Sequence, residues 1–173
     1  MRSCHLIKLL VWLLLLTGAG TPCAVALEAV SVPLGAATID LTRIVERHSG
    51  QGARIQVSTA PAADGIVRRI EVRSENPAGT SDWAVFALAN TSDEQIDRLL
   101  VAPHYRLVGS GLFWPDLGST RLVAITPSEG FPPDRLKKSD SDVFRITLDP
   151  GAIVTFVAEL RSPKLPQLHQ VGS

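Results

Sequence analysis

The side chains considered first for catalysis or metal binding are three histidines and one serine flanked by glycines. His48, His104 and His169 lie far apart in the sequence and show neither the H-x-x-x-H nor the H-E-x-x-H spacing of a zinc site. Ser110, in the stretch VGSGLFWP, lacks the G-x-S-x-G pattern that a nucleophile elbow needs between a strand and a helix. We therefore expect a non-enzymatic protein with no catalytic residue, no metal ligand and no cofactor.

Acidic residues between positions 134 and 149 could supply oxygen ligands for calcium. They are Asp134, the run SDSD at 139–142, and Asp149. An EF-hand loop would also need a glycine and a final glutamate at fixed offsets, and this stretch has neither. A solvated acidic turn is the simpler interpretation.

One aromatic residue, Trp114, stands in a glycine-flanked loop instead of a strand pattern. An exposed tryptophan is a natural stacking platform for a sugar ring or an apolar ligand. The competing interpretation is that Trp114 covers one end of the hydrophobic core. If Trp114 binds a ligand, the residues expected to line the same end are His104, Tyr105 and Arg106.

The first 26 residues have the pattern of a secretory signal peptide. Two basic residues precede the apolar run LLVWLLLL at 9–16, and small residues follow up to the A-x-A pattern at 24–26. The apolar run is shorter than the ~20 residues of a transmembrane helix. Cleavage before Leu27 would release the protein into the periplasm. An uncleaved amphipathic or buried segment is the alternative.

Both cysteines, Cys4 and Cys23, lie in that leader. Proline precedes Cys23 where lipid attachment would need a small residue, which argues against a lipoprotein. After cleavage, neither disulfide nor thiol chemistry would be available to the protein. The whole chain has 17 basic and 17 acidic residues, without a basic patch, so nucleic acid is not an expected partner.

The rest of the chain consists of short runs rich in Val, Ile, Leu, Thr and Phe, separated by Gly- and Pro-rich turns. Spacings near ten residues predict an all-β protein, an antiparallel β-sandwich of jelly-roll type. The runs DWAVFALAN and TRLVAIT are nearly all apolar, as in a central strand covered on both faces. The run AIVTFVAELR is long and rich in β-branched and aromatic residues. Strands are expected at 37–42, 53–59, 66–74, 82–90, 95–102, 120–126, 142–148 and 152–161.

The stretch ANTSDEQIDRLLV, 89–101, can be interpreted in two ways. Its Ser/Thr and Glu/Gln spacing resembles a helical capping box, and Ile96, Leu99 and Leu100 fit a helix face. A helix of about ten residues would be marginal, and Pro103 follows at once. We therefore predict a turn at 90–94 and a strand at 95–102.

One short helix is expected near the start of the mature chain, within IDLTRIVERHSG at 39–50. Asp40 or Thr42 could cap it and Gly50 could end it. The predicted organisation is then a signal peptide at 1–26, a β-sandwich at 27–161, and a linker or tail at 162–173.

The segment 82–159 resembles the periplasmic sensor region of bacterial membrane signalling proteins that carry GGDEF and EAL domains. It is also similar to the extracellular β-sandwich of bacterial seven-transmembrane receptors with diverse intracellular signalling modules. The residues that carry the likeness are DWAVFALANTSDEQIDRLLVAPHYRL, GSGLFWPDLGSTRLVAITPSEG and DVFRITLDPGAIVTFVAEL. The resemblance implies a jelly-roll fold like that of carbohydrate-binding modules, and a sensing role with output through cyclic di-GMP enzymes.

Where such proteins continue into a membrane helix and cytoplasmic enzymes, the present sequence ends with SPKLPQLHQVGS. Two expectations stay open: a free-standing periplasmic sensor that signals in trans, or a fragment of a longer signalling protein. The expected partners are a small ligand or envelope component and a membrane signalling protein. A free-standing carbohydrate-binding or envelope adaptor protein is the alternative function.

Overall fold

The computed structural model describes residues 26–35, 38–50, 53–75, 81–107, 113–115 and 120–161. These residues form β-strands and turns, and they contain no helix. The strands are β1 (Ala29–Ser31), β2 (Glu46–Gly50), β3 (Arg54–Ser58), β4 (Arg69–Arg73), β5 (Ser81–Ala89), β6 (Ile96–Pro103), β7 (Tyr105–Leu107), β8 (Phe113–Pro115), β9 (Arg121–Pro127), β10 (Asp134–Leu136), β11 (Ser141–Leu148) and β12 (Ile153–Arg161).

The antiparallel pair β5 and β12 forms the centre of the largest sheet. The pairing runs without a break from Leu160 opposite Asp82 to Ile153 opposite Ala89. On the far side of β12 lies β9, which pairs with it antiparallel. The other edge of β5 is shared, because β2 pairs with its first half in antiparallel and β1 with its last three residues in parallel. The sheet therefore has five strands, with β5 and β12 inside.

A smaller sheet, in the order β10–β11–β6, packs against one face of this large sheet. The side chains between them form one hydrophobic cluster, to which the large sheet contributes Phe86, Leu88 and Phe156. The small sheet contributes Phe144, Ile146 and Leu148. The rings of Phe86 and Phe156 lie opposite each other across the ladder and stack at 5.4 Å. Such cross-strand aromatic pairs stabilise a sheet beyond their burial.

The opposite face of the large sheet is covered by the hairpin β3–β4. Val57 and Val72 of the hairpin join a second cluster with Trp83, Val85 and Val157 of the large sheet. Central strands with both faces buried must be apolar at successive positions, so alternation disappears. The prediction that DWAVFALAN forms a covered strand is thus confirmed, and the all-β class with it. The same prediction for TRLVAIT is wrong, because β9 lies at the edge of the large sheet and only part of its side chains are buried.

The short helix expected at 39–50 is not formed. One turn is present, in which the carbonyl oxygen of Leu41 accepts hydrogen bonds from the backbone N–H groups of Ile44 and Val45. The chain then enters β2, whose pairing with β5 replaces the hydrogen bonds of a helix. The strand expected at 37–42 is also absent over its described residues, 38–42. In both cases tertiary packing overrides local pattern, since Ile39, Leu41 and Val45 pack on the first cluster.

The predicted turn at 90–94 and the strand after it are confirmed, and Asn90 is the reason. Its side chain is buried, and its Nδ2 donates to the carbonyl oxygens of Glu94, Leu148 and Asp149 at 2.7–3.0 Å. Its Oδ1 accepts hydrogen bonds from the backbone N–H and the hydroxyl of Ser92. One amide thus closes the β5–β6 turn and ties it to the end of β11. This explains why the Ser and Glu spacing does not start a helix.

Replacing Asn90 tests this account. Asn90→Ala removes one buried hydrogen bond, to the carbonyl oxygen of Leu148, and several partly buried ones, so we expect a loss of about 2 kcal/mol or more in the free energy of unfolding. Asn90→Asp keeps the acceptor and removes the donor, and we expect a similar loss. Urea unfolding followed by circular dichroism measures both. Asp93→Ala, at an exposed position of the same turn, is the control. An Asn90→Ala protein as stable as the control would contradict the account.

Candidate functional site

A groove of about 800 Å³ lies where the two packed sheets open along one edge. One wall is β6, which is an edge strand of the small sheet. The other wall is the segment 38–42, called the strap here, which crosses this edge on its way to β2. Grooves of this size accommodate small ligands.

The lining of the groove is aliphatic. Of the residues that line it, none is aromatic, and the apolar ones come from both sheets and from the strap. Leu99 and Val101 of β6 are 56% and 51% exposed, which is unusual for two large apolar side chains on one strand face. The further apolar lining residues are Val32, Ile39, Leu41, Leu88, Leu100 and Ile146.

Most polar groups of the groove are already engaged within the protein. The guanidinium of Arg98 donates to the carbonyl oxygens of Pro33 and Leu34 at 2.8–2.9 Å and so fastens the chain after β1 to β6. Asp97 accepts a hydrogen bond from the hydroxyl of Thr147. Asp40 accepts from Thr42, and this hydrogen bond holds the pKa of its carboxyl below the usual value. What the groove offers a ligand is therefore mainly hydrocarbon surface.

A second, smaller cleft of about 320 Å³ lies at the β9–β10 turn and is called the Phe131 cleft here. Phe131 is 85% exposed. Polar and charged side chains share the cleft with this ring: Gln95, Glu129, Asp134, Arg145 and Asp149. The sequence pattern did not single out Phe131, although the run Gly-Phe-Pro-Pro places an aromatic ring in a turn instead of a strand.

The hairpin β7–β8 brings together residues that the sequence grouped as a ligand site. Its register sets Arg106 opposite Trp114 and Tyr105 opposite Pro115. Tyr105 is 42% exposed. The side chains of Arg106 and Trp114 lie outside the described part of the structure, so their role stays a prediction. Ser110 lies outside the described residues as well.

His104, the fourth predicted site residue, contacts a buried carboxylate. Its Nε2 lies 3.2 Å from Oδ2 of Asp142, at an angle that does not make a hydrogen bond. The same Asp142 oxygen accepts a hydrogen bond from the backbone N–H of Leu122 at 3.0 Å. The other oxygen accepts from Arg135 at 3.0 Å. The imidazole therefore faces a structural network and not the groove.

Arg135 extends this network from one sheet to the other. From β10 its guanidinium reaches the carbonyl oxygens of Leu122 and Val123 on β9, and it lies 5.5 Å from the ring centroid of Phe144. Asp142 thus joins β11, β10, β9 and the end of β6. The acidic residues considered as calcium ligands are consequently separated: Asp142 is buried here, whereas Asp134 and Asp149 line the Phe131 cleft. Among the described residues no group of acidic, histidine or cysteine side chains could hold a metal ion.

A second buried carboxylate, Glu159, was not recognised from the sequence. It is 2% exposed and accepts hydrogen bonds from the hydroxyls of Ser74 and Ser81 at 2.5 and 2.9 Å, and from the backbone N–H of Glu75 at 2.9 Å. Burial alone raises the pKa of Glu159, but these hydrogen bonds and the charge of Arg161 outweigh it and lower the pKa. The carboxylate fastens the end of β4 to β12. The sequence did offer one signal for this role, because Glu159 is an acidic residue within the mostly apolar run AIVTFVAELR.

Comparison of the chain with protein-family models, with curated proteins and with solved structures gives no match. Within the described residues, no helix is long and apolar enough to cross a membrane. The aliphatic groove and the Phe131 cleft are therefore the features that bear on function.

Removing Asp142 should destabilise the fold, because the N–H of Leu122 and the guanidinium of Arg135 would lose a shared acceptor. Both oxygens of Asp142 accept hydrogen bonds, and in Asp142→Asn an NH₂ group replaces one of them and faces a donor. We therefore expect a loss of about 2 kcal/mol in the free energy of unfolding. Denaturant unfolding at pH 7 measures this loss. The matched control is Asp134→Asn at an exposed position. Equal stability of the two variants would contradict a structural role for Asp142.

Glu159 should make stability dependent on pH. Because its pKa is lower in the folded than in the unfolded state, its contribution is complete above the ordinary value of 4.5. The contribution is lost as the pH falls through the lower, folded-state pKa. Glu159→Gln should lower the free energy of unfolding at pH 7. It should also flatten the decline of that free energy as the pH falls below 5. Denaturant unfolding at a series of pH values measures both effects. Glu28→Gln, at an exposed position, should leave the decline unchanged, and an unaltered decline in Glu159→Gln would refute the assignment.

Proposed function

We propose that this protein is a non-enzymatic sensor and ligand-binding domain, a β-sandwich of jelly-roll type that acts in the periplasm for a bacterial signal-transduction system. The observation that carries the proposal is the aliphatic groove of about 800 Å³ between β6 and the strap. A preformed, mostly apolar groove with a small number of polar groups is the usual form of a small-molecule site.

The lining favours a ligand with a flexible hydrocarbon part. Branched aliphatic side chains surround the space, and the lining contains no ring on which a planar ligand would stack. Leu99 and Val101 are exposed without ligand and would be covered by one. Removing such apolar area from water contributes about 25 cal/mol for each Å² that is buried.

The same groove offers a path for a signal. Its walls belong to separate parts of the chain, fastened to each other by Arg98 through Pro33 and Leu34. A ligand between strap and β6 would alter this junction, which lies at the end of β1 beside β5. From β5 the ladder to β12 leads directly to the residues after Arg161. The proposed receiver is a membrane signalling protein with cyclic di-GMP output, joined in cis or contacted in trans.

The alternative function is carbohydrate binding or an adaptor role in the envelope. It is favoured by the β7–β8 hairpin, which pairs Arg106 with Trp114 and leaves Tyr105 exposed. A glycan array with the wild type and Trp114→Ala tests it. Binding that disappears in the variant would support the alternative, and an array without binding would count against it.

The groove proposal is tested with N-phenyl-1-naphthylamine, an uncharged apolar fluorophore, and with decanol as competitor. We expect saturable fluorescence that decanol displaces, and about tenfold weaker binding in Leu99→Asp and Val101→Asp, because a carboxylate would enter apolar surroundings. Both positions are exposed, so the fold should persist, which circular dichroism checks.

The control for this test is Ile66→Asp. Ile66 is 53% exposed in the connection between β3 and β4 and does not line the groove. The affinity of the Ile66→Asp variant for the fluorophore should equal that of the wild type. Equal losses in Ile66→Asp and Leu99→Asp would show that the fluorophore binds elsewhere and would refute the groove as the site.

A further inference from the structure

Phe131 is placed firmly although its ring is exposed. The turn before it is closed by a hydrogen bond from the N–H of Gly130 to the carbonyl oxygen of Pro127, and Gly130 has a φ of +88°, which favours glycine. Two prolines follow it and restrict the backbone. A ring that is 85% exposed on a stiff turn loses little entropy when it binds a ligand.

The Phe131 cleft carries an excess of negative charge. Its ionisable side chains are Glu129, Asp134 and Asp149, with Arg145 as the cation, which gives a formal charge of −2. Asp149 accepts a hydrogen bond from Nε2 of Gln95 at 2.6 Å. Among the described residues, none of these four charged side chains takes part in an ion pair. The charge of the cleft is therefore open to a ligand.

Glu129 adds an electrostatic argument. Burial raises the pKa of its carboxyl, and the nearby charge of Asp149 raises it further. Two carboxylates that repel each other in partly desolvated surroundings would both be stabilised by a cation between them. The face of an aromatic ring attracts cations as well.

We propose that the Phe131 cleft binds an organic ammonium group, with the cation held against the ring face of Phe131 and neutralised by Glu129 and Asp149. The cleft shares Arg145 and Ile146 with the lining of the aliphatic groove, whereas Phe131, Glu129 and Asp149 line the cleft and not the groove. The proposal stands or falls independently of the function proposed above. The ammonium can belong to a small quaternary amine or to a lysine side chain of a peptide. A simple metal ion is not favoured, because the described residues contain no group of three suitable ligands.

The probes are tetramethylammonium chloride and its uncharged isostere tert-butanol, titrated into the full chain and followed by the NMR shifts of the backbone amides at Glu129 and Gly130, which every variant retains. We expect saturable shifts with tetramethylammonium and none with tert-butanol. Phe131→Leu and Glu129→Gln should each weaken binding about fivefold. The matched controls are Tyr105→Leu and Glu28→Gln, which should bind as the wild type does. A second probe, Nα-acetyl-lysine methylamide, carries a free side-chain ammonium. It distinguishes a peptide lysine from a quaternary amine as the source of the cation.

Binding should also weaken as the pH falls through the raised pKa of Glu129, because protonation removes the charge that the cation needs. Equal shifts with tert-butanol, or with glucose, would overturn the proposal in favour of an apolar or saccharide site. So would tetramethylammonium binding that survives both variants. Displacement of the fluorophore from the aliphatic groove by decanol should be unchanged in Phe131→Leu, so the two proposals are tested separately.

Discussion

The pairing of β5 with β12 is the interaction on which the remaining structure depends. Both strands lie inside their sheet, and each has layers packed on both faces. Every other layer is positioned by contact with this pair: the small sheet on one face, the β3–β4 hairpin on the other. The groove lies between β6 of the small sheet and the strap, and Val32 and Leu88 also line it.

Buried polar side chains decide how these layers are joined. Asn90 fixes the β5–β6 turn to the small sheet, Asp142 joins both sheets, and Glu159 fastens the hairpin to β12. Apolar packing alone tolerates sliding between layers, whereas a buried acceptor with several donors is satisfied in one arrangement only. Each of these residues stands at a junction and not in the middle of a cluster. Removing any one of them leaves its partners without a hydrogen bond, so each residue stabilises one arrangement of the layers.

How far the sequence predicted the structure depends on whether the signal was local. Alternation and turn residues predicted the strands β3, β4, β6 and β11. Nearly all-apolar runs predicted β5 and β9, and a run rich in β-branched and aromatic residues predicted β12. Edge strands such as β1 and β2 were missed, because three to five residues paired along a shared edge carry no pattern of their own. The site was predicted least well. The groove arises from residues about 60 positions apart, Ile39 and Leu99, and no spacing rule connects them.

The position of β12 also has a mechanical consequence. Tension applied at Arg161, along the strand, loads the ladders to β5 and β9 together, since both run beside it. Hydrogen bonds perpendicular to the pull must then break in concert, in shear, instead of opening one after another like a zipper. Under force the lifetime of the fold is set by its unfolding rate. A tether attached after β12 would thus pull along the central ladders of the large sheet, which pack on both hydrophobic clusters.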